Sequence, residues 1–348
     1  MTHAERGVRI MTLKEKRGKY FIVVFTIIFI AVFIISIATG RYPISFGDVV
    51  RVIIGKVTNA RQTLSEDLEL VIFKIRMPRV LAGALVGAAL SSAGASFQGL
   101  FRNPMVSPDV LGASSGAGFG AALMLLLGMN YAVVSLAAFV FGIIAVGTAY
   151  LVSTRARRNP TLGLVLAGIM ISSLFSAGTS YIRLVADPSN TLPAITFWLM
   201  GSVANVKQSS LIWAAVPIIA GMTALLICRW KLNLLTMGED EARTMGVNTK
   251  VMRIVIVSAA TLITSASVAI SGIIGWVGLV IPHFARLLAG YDYRVMMPVS
   301  MLMGASFLML VDDLSRTITV AEVPLGVLTA FVGAPFFLYL ILDRGNRI

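Results

Sequence analysis

Apolar runs long enough to cross a bilayer recur along the whole of this chain. A spanning helix needs about 18 or more residues with almost no charge. Candidate spans lie at 20–38, 80–100, 110–128, 132–152, 162–184, 209–228, 250–271, 273–290, 296–311 and 324–342. Of the 348 residues, 57% are hydrophobic and 13% are charged, against roughly 25% charged in a soluble domain. A large water-soluble core would need helices with a polar face, and most of these runs have none. The expected fold class is therefore all-α: a polytopic membrane protein of ten transmembrane helices, with 1–348 as one transmembrane domain. Lys14–Lys19 followed by Tyr20–Ala38 has the layout of a signal peptide. Its apolar stretch exceeds the usual length of about 7–15 residues and more spans follow, so an uncleaved first helix is expected.

Charge placement gives an orientation. With both termini cytoplasmic, 19 of the 29 lysines and arginines fall on inward-facing segments and 10 on outward ones. Seven of those ten lie between Arg41 and Arg79, in one loop. The bias follows the positive-inside rule, with that loop as its exception. The net charge of +13 sits in short blocks between apolar segments, which topology explains better than nucleic acid does. Residues 51–67 are strongly mixed in charge and are placed no further than an outer helix and loop.

Other chemistry is thinly represented. A single cysteine, Cys228, leaves no internal disulfide or cysteine-built metal site, and His3 and His283 are too few for a histidine-rich one. No GxxxxGK[ST], HExxH or GxSxG occurs, so no ATP cradle or catalytic set is expected, and no cofactor. His283 reads as structural, since one imidazole without partners performs little chemistry. Asp312 and Asp313 come nearest to a membrane carboxylate pair, but they fall at the end of the ninth run and are expected near water.

Three constellations stand out. Pro78 suits the first residue of a helix, which puts Arg76 and Arg79 at that helix's N-terminus, where a cation opposes the helix dipole by roughly 0.3–1 kcal/mol. Arg316 lands on the same outer face. Three outward arginines suggest an anionic partner, or headgroup anchoring by long side chains. The second constellation is the loop 231–250, expected to form two short helices around Gly238, with Gly246 as a further cap. Glu239, Asp240 and Glu241 sit at the favourable acidic end, and Leu234, Leu235, Met237, Ala242 and Met245 supply apolar surface. Such a firm knob suits a soluble partner, or it is a plain interfacial linker. The third is the turn Arg102–Asn103–Pro104–Met105 with Pro108 and Asp109, either a gate at the inner mouth or a simple hairpin connection. Gly83 with Gly87, the ladder Gly112–Gly116–Gly120, and Gly272, Gly275 and Gly278 have spacings that let helices approach closely in lipid, for which ordinary bundle packing suffices.

Four stretches carry a resemblance. They are RMPRVLAGALVGAALSSAGASFQGLFRNPMVSPDVLGASSGAGFGA, GEDEARTMGVN, GIIGWVGLVIPHFARLL, and VDDLSR followed by EVPLGVLTAFVGAPFFLYLIL. Together, from about Ile44 to the C-terminus, they resemble the FecCD-type permeases of ABC importers for iron-siderophores, haem and cobalamin. The resemblance implies a type II ABC importer permease with ten helices per subunit, multi-pass in the cytoplasmic (inner) membrane. Its implied partners are the lipid bilayer, a second permease subunit (identical or a close paralogue), two cytoplasmic ATP-binding cassette subunits and an extracytoplasmic substrate-binding protein. It implies that Arg76, Arg79 and Arg316 meet glutamates of the binding protein. Leu234, Met237, Gly238, Glu239, Asp240, Glu241, Ala242, Met245 and Gly246 would engage the ATPase. Asn103, Met105 and Thr161 would form the cytoplasmic gate, and the fifth span with its dimer mate would line the path. A ferric siderophore is the first expected substrate, ahead of haem, cobalamin and molybdate. The rival classes are an ion-coupled secondary transporter and a membrane enzyme.

Overall fold

The computed structural model describes residues 3–40, 42, 44–45, 47–52, 66–155 and 160–345. Among the described residues there is no strand, and each expected run has a helical counterpart. The helices are α1 (His3–Ala38), α2 (Met77–Leu100), α3 (Ala113–Leu126), α4 (Tyr131–Ser153), α5 (Pro160–Val185), α6 (Thr191–Met200), α7 (Gln208–Met237), α8 (Glu239–Thr244), α9 (Thr249–Ser271), α10 (Val277–Ala289), α11 (Tyr293–Thr317) and α12 (Leu325–Gly345). Among the described residues, seven helices are long and apolar enough to cross a membrane: Gly18–Ala38, Asp67–Leu100, Tyr131–Ser153, Thr161–Val185, Gln208–Met237, Thr249–Ser271 and Tyr293–Thr317. Shorter apolar helices, Ala113–Leu126, Val277–Ala289 and Leu325–Leu338 among them, complete the bundle. Helices are the only open structure lipid tolerates, because each backbone group is satisfied within the segment.

Several boundaries differ from expectation for local reasons. Pro78 does not start its helix: Glu66–Leu70 and a π-helical turn, Val71–Arg76, run straight into α2. A proline ring and its missing N–H disrupt the preceding α-helical turn, and the wider π turn absorbs that disruption. The run 273–290 yields only α10, since Gly272 (φ +67°) and Trp276 (φ +71°) hold the stretch before it out of helical geometry. α6 was not expected; its apolar run is short and includes Pro193, which sits in a first turn whose N–H groups have no helical partner. Of the segment 51–67, residues 51–52 are helical, 53–65 lie outside the described residues, and 66–67 lie in the helix Glu66–Leu70.

α2 is the central helix. It is buried along most of its length and packs against α7, α9, α10 and α11. Glycines make this possible. A Cβ on Gly87 would lie 2.1 Å from the carbonyl oxygen of Gly304, and one on Gly94 would lie 1.7 Å from that of Gly278. Gly116 and Gly120 of the expected ladder bring α3 against α4 in the same way, through the carbonyls of Phe141 and Ala137. Gly112 serves the turn instead. At φ +91° it redirects the chain between the short 3-10 helix Pro108–Leu111 and α3.

Candidate functional site

Charged side chains gather at the two ends of the bundle. At one end, the last turn of α1, the start of α2 and the last turn of α11 meet. Arg76 donates to the carbonyls of Ile37 and Ala38, both at 2.7 Å, and to that of Tyr42. The carbonyls of Ile37 and Ala38 belong to the orphan acceptors that a helix C-terminus leaves, and a cation there is favoured by the dipole of α1. The expected clash with its own helix dipole disappears, because Arg76 lies inside a continuous helix. Arg79 grips Asp312 with Nε and Nη2, at 2.8 Å to Oδ2 and 2.8 Å to Oδ1, and donates to Glu322 at 2.9 Å. Arg316 donates to Asp313 and, at 2.6 Å, to the carbonyl of Ser36, while the Ser36 hydroxyl donates to Asp313 at 2.7 Å.

Arg76, Arg79 and Arg316 are 4%, 8% and 5% exposed, so these guanidinium groups turn into the protein. Asp312 and Asp313, expected near water, are buried with them. α11 continues to Thr317, beyond the end of the apolar run, and the arginines cover its acids. Glu322, whose side chain is 30% exposed, is the acid of this network that reaches the surface.

The opposite end carries the loop 231–250. Its first part is not a separate helix: α7 runs on to Met237, because Leu232, Leu234 and Leu235 are buried although Arg229 and Lys231 end the apolar run. α8 follows Gly238 directly, so there is one short helix where two were expected. Its C-terminus is a Schellman closure, with Gly246 N–H donating to Arg243 and Val247 N–H to Ala242, both at 2.9 Å. Ala242 and Leu234 face inward, whereas Met237 (61%) and Met245 (56%) are exposed beside Asp240 and Glu241. Glu239 accepts from Arg243 at 3.4 Å and from Arg253 of α9, and Arg253 also donates to Thr161 at 3.4 Å.

Further contacts organise this end. Asn233 near the end of α7 donates to Asp292 and accepts from the N–H of Tyr293, both at 2.8 Å. Burial pushes the Asp292 carboxyl up, but the hydrogen bonds from Arg294 and Asn233 hold it below its usual range, where it caps α11 as an anion. In the turn after α2, Asn103 accepts from the N–H of Met105 at 2.9 Å, and Met105 is exposed. Gln98, buried one turn earlier, donates to the carbonyls of Val106 and Leu279 at 3.2 Å and accepts from Arg286. The structure therefore ties Thr161 to the loop through Arg253, while Asn103 and Met105 stand on a separate connection. Gln98, Asn233, Arg253 and Glu322 were missed from sequence. Of these, Gln98 left a readable signal, as a lone amide in an apolar run.

The FecCD transport family model matches residues 28–343. The chain belongs to the FecCD transport family. It is 36% identical over 323 residues to the molybdate import system permease protein MolB of Haemophilus influenzae, covering 92% of this chain and 95% of that one. It is 39% identical over 283 residues to the cobalamin import system permease protein BtuC of Halobacterium salinarum, covering 81% and 76%. A solved ABC transporter of metal-chelate type in an inward-facing conformation is 35% identical, with a TM-score of 0.83, over 93% of this chain and 99% of that one. This permease thus shares its fold, and nearly its full length, with a transporter chain. The resemblance of the four stretches quoted above is confirmed.

Proposed function

We propose that this chain is the membrane subunit of an ABC importer that passes a metal chelate, with a ferric siderophore as first candidate and haem, cobalamin or molybdate behind it. The observation that carries this reading is the loop end: a short helix between two glycines, presenting Met237, Met245 and an acidic face, in a member of a transport family. Two ATP-binding subunits take that face, at the cytoplasmic side, and contact Leu234, Met237, Gly238, Glu239, Asp240, Glu241, Ala242, Met245 and Gly246. Asn103, Met105 and Thr161 gate the same side. A second copy or close paralogue and the bilayer cover the exposed apolar surface, which includes Leu166, Met170 and Leu174 of α5. Both termini lie in the cytoplasm. An ion-coupled transporter would want a carboxylate free to change its charge within the membrane; Asp312 and Asp313 are instead matched by Arg79 and Arg316.

The binding protein docks at the opposite end, on the ground held by Arg76, Arg79 and Arg316. Because those arginines are engaged, an incoming glutamate competes first with Glu322, the half-buried partner of Arg79. Glu322→Gln removes the competing charge, and docking of the cognate binding protein is expected to tighten by about three- to tenfold in a pull-down titration, because complementary interface charges govern encounter and register. Docking unchanged or weakened by Glu322→Gln would remove Arg79 from the docking surface.

A further inference from the structure

We infer that Arg253 is the positioning residue that ties the loop-end helix α8 to the first turn of α5, so that a displacement of α8 is delivered to Thr161. The inference rests on the permease reading above for its use in transport, and on geometry for its existence.

Arg253 stands one turn into α9, and its side chain is 12% exposed. It is thus a guanidinium wedged between elements rather than a solvated surface charge, which would contribute little. The same nitrogen, Nη2, contacts Glu239 at the first residue of α8 and reaches the hydroxyl of Thr161 at the second residue of α5. A planar fork is suited to holding two acceptors in fixed directions, which a lysine is not. Glu239 is also held from within α8 by Arg243, so the carboxylate moves with α8 as a unit.

The flanking backbone supplies the hinges. Gly238, at φ +149°, joins α8 to α7, and Gly246, at φ +80°, closes its other end. Both conformations favour glycine. α8 is therefore a short lever with a glycine at each end and a charged tether at its base. The receiving helix is suited to being moved. α5 packs against α3 and α4 but leaves Leu162, Leu166, Met170 and Leu174 exposed along its length. Within the subunit α5 buries less of its surface than α2 or α9, so fewer contacts of its own chain hold it in place. Nothing in the sequence near Thr161 signals this connection, since Arg253 lies 92 residues away.

Two measurements test it. In the purified permease, hydrogen exchange at Leu164–Ala167, whose N–H groups bond the carbonyls of the first turn of α5, is expected to quicken by about tenfold in Arg253→Gln and Glu239→Gln, as when a local opening loses its restraint. Exchange there unchanged in both variants would overturn the tether, whatever the protein transports. In proteoliposomes with the ATPase and binding-protein subunits, substrate imported per ATP hydrolysed is expected to fall by about tenfold in each variant. The double variant is expected to fall no further than either single one, as for residues acting as one unit. An unchanged ratio, or losses that multiply in the double variant, would show that Arg253 and Glu239 do not act through one tether. A wild-type complex that failed to import would defeat the permease reading while the exchange measurement still decided the tether.

Discussion

Gly94→Ala is expected to remove most of the folded protein, although it adds a single methyl group. The new Cβ would sit 1.7 Å from the carbonyl oxygen of Gly278 and 2.6 Å from its carbonyl carbon. Both are backbone atoms of a neighbouring helix and cannot swing aside. Gly278 is confined in turn: a Cβ there would lie 2.6 Å from the carbonyl of Leu90 and 2.3 Å from the ring of Pro108. Overpacking a core usually costs about 1–3 kcal/mol, and relief here requires α2 and α10 to separate, so the upper end of that range or beyond is expected. Gly83→Ala, on the same helix, is the control. Its Cβ would meet nothing closer than Met309 at 3.7 Å, an ordinary contact, and glycine in a helix interior costs about 0.5–1 kcal/mol relative to alanine. Thermal unfolding in detergent should therefore show Gly83→Ala melting at or above the wild type and Gly94→Ala far below it. Equal melting of the two variants would contradict the backbone contact.

Asp312→Ala is the second large effect. It leaves the buried Arg79 with Glu322 alone and takes from Arg316 its carboxylate neighbour at 3.9 Å. Removing one partner of a buried ion pair costs about 3–5 kcal/mol when the other charge is left without compensation, and the remaining Glu322 contact places the expected loss at the lower end of that range. Pairing the change with Arg79→Met removes the stranded charge and should return at least half of the loss. Denaturant titration of micellar protein measures both. A loss under about 1 kcal/mol for Asp312→Ala would mean that water reaches Arg79, as for a surface pair.

The helices were legible in the sequence because lipid leaves the backbone so few options. Their register against one another was not. A hydropathy window stops at an acid, so the ninth run ended before Asp312, whereas α11 continues because Arg79 and Arg316 neutralise its last turn. Arg79 and Asp312 are 233 residues apart, and no local pattern pairs them. Pro78 read as a helix start because the sequence cannot show that the chain before it stays helical through a π turn. Around Gly238 and Gly246 the reading was closer, since caps are local features. Even there, the burial of Leu234 and Leu235, which carries α7 on to Met237, depends on packing. The three outward arginines stand out in the sequence, but most of their partners within the chain lie 34 to 280 residues away, beyond any local pattern.

Above all, this permease is expected to work only with an ATP-driven partner. The direct measurement is uptake of a radiolabelled ferric siderophore into proteoliposomes, with and without the ATPase subunits, ATP and the binding protein. Accumulation is expected to require all three and to be indifferent to an imposed proton or sodium gradient. Uptake that persists without the ATPase and follows the ion gradient would contradict an ATP-driven permease.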